Sequence, residues 1–290
     1  MNEISISIIL TQFLNGLVIG MTLVLLALGL SIIFGMLKVI NFAHGALYTV
    51  GAYFAVFMVS FSSNFWVALT FAALATGALG ITIERVCVRP LYGKGEILPL
   101  LLTFALSMII SELVIMVWGT MGYDFHTPKL LEGFVNLGFV HFPTYRLFLI
   151  GFTAVLCLCL WLFLERSRLG LLIRAGTEDI DMARALGIKV KNLFTMVFFI
   201  GAGLAGVAGV IAAPLKNVNP HMGVEILVQS FVVVTVGGMG SFRGSIWAGI
   251  IIGELMVLTV QFWPSISHVS IFAFMALVLL LKPEGLFGKK

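Results

Sequence analysis

Long apolar runs broken by brief polar interruptions set the first reading of this chain. A membrane-crossing helix needs about 20 mostly apolar residues. Nine stretches approach or meet that length: 10–34, 43–61, 65–86, 98–118, 146–164, 193–213, 224–238, 245–262 and 269–281. The seventh and ninth are short, so eight complete spans with one re-entrant segment also fit the pattern. The expected fold class is an all-α polytopic membrane protein of eight or nine transmembrane helices, with residues 1–290 as a single membrane domain. Glycines four apart, Gly16 with Gly20 and Gly249 with Gly253, let helix backbones approach closely, as packing in lipid requires. The run from Gly201 through Gly206 to Gly209 has the same property. These glycines mark a bundle and say nothing of its task.

Composition confirms the lipid reading. Hydrophobic residues make up 60% of the 290 and charged residues only 10%, whereas a soluble domain is about one-quarter charged. A chain this size has too little interior to hide the surplus. The segment after Met1-Asn2-Glu3 has no basic leader and is too long for a cleavable one, so it reads as a retained span. Three cysteines, Cys87, Cys157 and Cys159, form no C-x-x-C pair and read as small side chains in packed helices.

The net charge of +4 does not call for nucleic acid, because its distribution follows membrane topology. Lys38, Arg85, Arg89, Lys94, Arg166, Arg168, Arg174, Arg184, Lys189, Lys191, Arg243, Lys282, Lys289 and Lys290 fall on one side of the predicted spans. Lys129, Arg146 and Lys216 fall on the other. By the positive-inside rule the first side is cytoplasmic, which places the C-terminus inside and, with nine spans, the N-terminus outside. The longest outer loop is then 119–145 and the longest inner one 165–192, the two natural docking surfaces for soluble partners.

Three polar features stand out. In the inner loop, Thr177 is a candidate helix N-cap, Glu178, Asp179 and Asp181 bring negative charge to a first helical turn, and Gly187 is a natural stop. The short helix between them sets Met182 and Leu186 on one face, with Ile180 and Ala183 beside it. Such a helix is either a knob offered to another protein or an interfacial helix on the bilayer. The second feature is Lys38-Val-Ile-Asn41-Phe-Ala-His44-Gly45, too apolar for an ordinary loop. Asn41 and His44 at membrane depth need protein or water as neighbours. The third is Gly237-Gly238-Met-Gly240-Ser-Phe-Arg243-Gly244, either a tight turn or irregular backbone lining a cavity.

Enzyme chemistry finds no support: there is no G-x-x-x-x-G-K-[ST] loop, no H-E-x-x-H, no serine elbow, and no second histidine at metal or haem spacing to His44. Glu112 and Glu254 lie deep in predicted spans, where a proton-coupled carrier would use them and a bundle would pair them with neighbours such as Ser111 or Gln261.

The three polar features, in this order along nearly the whole chain, resemble those of the branched-chain amino acid permeases of ATP-binding-cassette importers, in particular the H-type subunit. The inner loop resembles the segment that importer permeases offer to their ATPases, a Glu-Ala-Ala triplet, three intervening residues, then Gly. Here Asp181-Met182-Ala183 and Gly187 stand at those positions, so the first two depart from the pattern. The resemblance implies a second related permease, two cytoplasmic ATPases that hold the ATP site, and a periplasmic substrate-binding protein, with no cofactor in this chain. It implies contact with the ATPase through Glu178, Asp181, Met182, Ala183, Leu186 and Gly187. It implies a translocation path lined by Asn41, His44, Gly45, Gly237, Gly238 and Gly240. Leucine, isoleucine or valine is the expected cargo, urea or a short amide the alternative.

Overall fold

The computed structural model describes residues 6–138 and 140–288. Met1-Asn2-Glu3 and the basic pair Lys289 and Lys290 lie outside them. The chain is helical almost throughout: α1 Ile6–Leu37, α2 Ala43–Ser62, α3 Phe65–Ile83, α4 Ile97–Trp118, α5 Thr144–Arg166, α6 Arg168–Glu178, α7 Ile180–Ala185, α8 Val190–Ala212, α9 Met222–Gly237, α10 Phe242–Phe262 and α11 Ser267–Leu281. Each of the nine apolar stretches is one helix. Seven helices are long and apolar enough to cross a membrane, while α9 and α11 are shorter, as their sequences indicate. The only strands among the described residues, β1 Phe134–Asn136 and β2 His141–Pro143, form a hairpin in the loop after α4.

Helix ends follow local chemistry. Asn64 caps α3 by accepting from the Trp66 and Val67 amides, and the Ser241 hydroxyl caps α10 by accepting from Gly244 N. Both occupy the half-in position where a short oxygen-bearing side chain satisfies otherwise orphaned N–H groups. The α3 helix does not stop at its apolar boundary. It continues through a π turn, Glu84–Val88, into a 3₁₀ turn, Arg89–Leu91.

The most buried helices are α1 and α8, while α4 and α5 expose most of their length at the periphery. Glycine makes the central contacts. A Cβ on Gly20 would meet Gly249 O at 2.9 Å, and one on Gly253 would meet Gly16 O at 2.5 Å, so the two spaced pairs form one seam between α1 and α10. The run on α8 likewise lies against α1 at Gly201, α3 at Gly206 and α2 at Gly209.

Two helices begin inside the bundle. Lys38 turns the chain with φ 56°, and residues 38–42 then double back along α1. The His44 ring Nε2 reaches Leu26 O at 3.1 Å, and donates because a carbonyl can only accept. Leu26 precedes Leu37 by eleven residues, so α2 starts about 16 Å back along α1 at 1.5 Å per residue. The start of α9 is at the same level, because a Cβ on Gly45 would run into Gly223 O and one on Gly223 into Gly45 O. From there α9 needs only its 16 residues to return to the basic end of the bundle. The seventh stretch is therefore short because its helix begins part-way through the bundle.

Two local expectations change. The inner-loop helix does not start at Thr177, which lies in the last turn of α6 and donates to Arg174 O at 2.7 Å. Asp179 is the cap: its backbone is extended and its side chain accepts from the Asp181 and Met182 amides. Aspartate caps at least as well as threonine, and the stretch from Arg168 is helical in its own right. The deep glutamates also lack the expected partners. The Ser111 hydroxyl donates within its own helix to Ser107 O. Gln261 accepts from Gln12 across the α1–α10 seam. Glu112 is exposed on α4, and Glu254 lies against Gly16 with its Oε1 buried and without a hydrogen-bond partner among the described residues.

Candidate functional site

His44 and Gly45 lie further inside, but most of the residues singled out in the sequence gather at the end of the bundle that carries most of its lysines and arginines. There the α6–α7 joint leaves the bundle and returns. Asp179 is extended (φ −147°, ψ 106°), which breaks the helix and redirects α7. Gly187 ends it with φ 80°, the left-handed conformation glycine adopts without penalty. The Ile188 amide donates to Ala183 O at 3.1 Å and the Gly187 amide to Arg184 O at 3.0 Å, the bond pair of a Schellman stop. Arg184 pairs with Asp181 at 3.1 Å on the exposed side. Ala183 is buried against the bundle, whereas Met182 is 58% exposed and Leu186 73%. These two apolar side chains are exposed at the end of the molecule that carries most of its lysines and arginines.

Behind α7 is a cavity of about 550 Å³. Its walls come from the 38–41 turn, the start of α4 and the α6–α7 joint, with Asn41, Glu178, Asp179, Asp181 and Arg184 all among the lining residues. Asn41 is buried, its Oδ1 accepts from Ala43 N at 3.1 Å, and its Nδ2 has no partner among the described residues. The structure thus brings Asn41 and the inner-loop acids to one chamber. His44 lies deeper, fully buried, with no hydrogen-bond partner for Nδ1 among the described residues. Gly45 is the backbone contact to α9 described above.

The glycine segment has a different setting. Gly237 and Gly238 are buried in a tight turn, and the C-terminal tail closes on it: Leu286 N donates to Val236 O at 2.8 Å and Phe287 N to Gly237 O at 3.0 Å. Gly240 is exposed and lines a second cavity, of about 850 Å³, together with Thr177 and Glu178. Residues 177–178 therefore stand between the two chambers. Among the described residues no group of three His, Cys, Asp or Glu could hold a metal ion.

One cluster escaped sequence reasoning. Glu84 is completely buried in the π turn. Its carboxylate accepts from Arg89 Nε at 3.0 Å and Nη2 at 2.8 Å, Tyr92 OH at 2.9 Å and Thr195 Oγ1 at 2.8 Å. A buried carboxylate is tolerated only when so satisfied. Burial first, and then the Glu84 charge, push the Tyr92 phenol above its ordinary range, so it remains a donor. Through Thr195 the cluster ties the end of α3 to α8, and Tyr92 also lines the chamber behind α7.

A family model described as branched-chain amino acid transport system / permease component matches residues 12–281. The chain belongs to this family. It is 32% identical to the high-affinity branched-chain amino acid transport system permease protein BraD of Pseudomonas aeruginosa, over 97% of this chain and 96% of that one. The identity to the permease protein LivH of Escherichia coli is also 32%, with the same coverage. The permease protein LivM of Escherichia coli is 27% identical, over 92% of this chain and 68% of its own length. In architecture the chain is similar to a solved structure, PsaBC from Streptococcus pneumoniae in complex with Fab, with a TM-score of 0.52 and 16% identity over 92% of this chain and 89% of that one. Family membership and the seven long apolar helices together make this a multi-pass membrane permease.

Proposed function

We propose that this chain is a membrane-spanning subunit of an ATP-driven importer, carrying branched-chain amino acids across the inner membrane beside a second, related permease. The observation that carries the reading is α7. Its apolar side chains Met182 and Leu186 are exposed at the most basic end of a lipid-embedded bundle. Apolar groups held there gain most from a protein partner that covers them. By the positive-inside rule this end is cytoplasmic, so the partner is one of two cytoplasmic ATPase subunits. The likeness to permeases of both the LivH and LivM kinds supports a paired channel. The opposite end, with the 119–145 loop, receives a periplasmic binding protein.

The mechanism uses the joint at Asp179. When the ATPase pair closes on ATP, α7 is displaced as a short lever, and the joint passes that motion to residues 177–178 between the two chambers. The shared wall moves, and the path past Asn41, His44 and Gly45 opens to one side. Gly187 lets α7 stop abruptly and turn back, so it is the position to test. Gly187→Val places a β-branched residue at φ 80°, which costs on the order of 1–2 kcal/mol locally. Leucine uptake and ATPase co-purification fall to background, while the membrane bundle still elutes as a folded species. Wild-type uptake of radiolabelled leucine in vesicles lacking the ATPases would defeat the importer reading, and uptake of urea in preference to leucine would defeat the assigned cargo.

A further inference from the structure

A small cavity on the side away from α7 has a charge arrangement that the sequence did not disclose. It measures about 140 Å³ and lies where α2 begins, α8 ends and α9 begins. Tyr48, Lys216, Met222, Glu225 and Ile226 are among its lining residues. A void of about 150 Å³ is enough to admit a molecule the size of benzene. Lys216 belongs to the 213–221 connection, which pairs with the loop after α4 through Val218 and Tyr123 (2.8 and 3.0 Å). The cavity is therefore approached from the end opposite the α6–α7 joint.

Both signs of charge line this cavity without neutralising each other. The ion pairs among the described residues are Glu84 with Arg89, Glu165 with Arg174, and Asp181 with Arg184. Neither Lys216 nor Glu225 is in any of them. Glu225 is in the first turn of α9, where the helix dipole favours a carboxylate. Its Oε1 accepts only a long bond, 3.4 Å, from Gln229 Nε2. Glu225 and Lys216 are both exposed, so each is open to a ligand arriving from that end. Met222 and Ile226 add apolar lining to the same cavity.

We infer that this cavity recognises the backbone of a free α-amino acid: its ammonium binds Glu225, its carboxylate binds Lys216, and an aliphatic side chain lies on Met222 and Ile226. This rests on the importer reading and deepens it, since it names what in the permease itself selects the cargo. A ligand carrying both charges satisfies both residues at once, and an uncharged amide or urea satisfies neither. The site is also placed for hand-over. It is on the binding-protein side of the Gly45–Gly223 contact, whereas the Asn41 chamber is on the ATPase side.

Two measurements test this. In proteoliposomes holding both permeases, the ATPases and the binding protein, Glu225→Gln and Lys216→Met each lower leucine uptake about tenfold to a hundredfold, the worth of a hydrogen bond to a charged group. Lys216→Arg, which keeps the charge, recovers most of it. Uptake within twofold of wild type in both charge-removing variants overturns the assignment while leaving the importer reading intact. Absence of leucine uptake in the wild type, with uptake of urea, would instead overturn the reading beneath it. The second measurement needs no variant and so does not depend on folding. Thermal unfolding of the unmodified permease–ATPase complex, purified without the binding protein and without ATP, is followed against millimolar leucine, 4-methylpentanoate and 3-methylbutylamine. Leucine alone raises the midpoint in a saturable way. Equal shifts from all three, or none from leucine, overturn the assignment.

Discussion

Glu84 shows how a single residue can hold two elements together. Four hydrogen bonds converge on a carboxylate that solvent does not reach. Removing one side of a buried charged pair costs about 3–5 kcal/mol because the other is left uncompensated. Glu84→Gln keeps the shape but turns one acceptor into a donor facing Arg89, Tyr92 and Thr195, all of which donate. The expected outcome is a lower thermal midpoint of the purified protein in detergent and a lower yield of folded protein, with Thr195→Ala a milder version. A midpoint unchanged in Glu84→Gln would mean the carboxylate contributes nothing to the join. Little of this cluster was legible in the sequence. Arg85 and Arg89 read as topology charges. Arg89 and Tyr92 come within reach only because the backbone adopts a π turn, and Thr195 lies over a hundred positions away. Pattern reading has no signal for either.

At the scale of elements the sequence was far more informative. Apolar length located the seven helices long enough to cross a membrane and the two shorter apolar ones, because lipid forces each backbone to satisfy itself internally. Glycine spacing identified the faces that meet, since only a missing Cβ allows the α1–α10 approach. It did not say which pairs meet. The small helix at 180–185 was also legible from its acids and from Gly187, although Asp179 rather than Thr177 begins it. The seam gives a paired prediction. Gly20→Leu drives a side chain into Gly249 O and Ile250 Cα and destabilises the fold by roughly 1–3 kcal/mol or more. Gly151 on α5 has nothing within 4 Å of an added Cβ. Gly151→Leu is therefore close to neutral, and within about 1 kcal/mol on the stabilising side from helix propensity. Folded fraction after mild heating, measured by fluorescence-detected size exclusion, compares them. Equal losses at the two positions would show that glycine content, not the seam, sets stability.

The arrangement of the whole molecule depends on the two helices that start inside it. The Asn41 chamber approaches α2 from one end of the bundle and the Lys216–Glu225 cavity from the other, and their lining residues on α2 are Asn41, just before its start, and Tyr48. From Ala43 to Tyr48 is about 7.5 Å of helix. That thickness is filled by His44 and Leu47, both fully buried, and by the contact of Gly45 with Gly223. A seal of less than two helical turns, made largely of backbone contact, can open through a small relative slide of α2 and α9 without unfolding either. Cysteine accessibility tests this. With Cys87, Cys157 and Cys159 replaced, a membrane-impermeant thiol reagent applied from the cytoplasmic side modifies Thr177→Cys and Asp181→Cys. Applied from the periplasmic side, it modifies Asn217→Cys and His126→Cys. Leu47→Cys is protected from both in the resting complex and becomes reactive from the periplasmic side only when the ATPases are trapped with ATP, the state that admits cargo. Reaction of Leu47→Cys from both sides at rest would mean that the α2–α9 contact is not the seal. Labelling of Asp181→Cys from the periplasm would invert the bundle and remove the ATPase from α7.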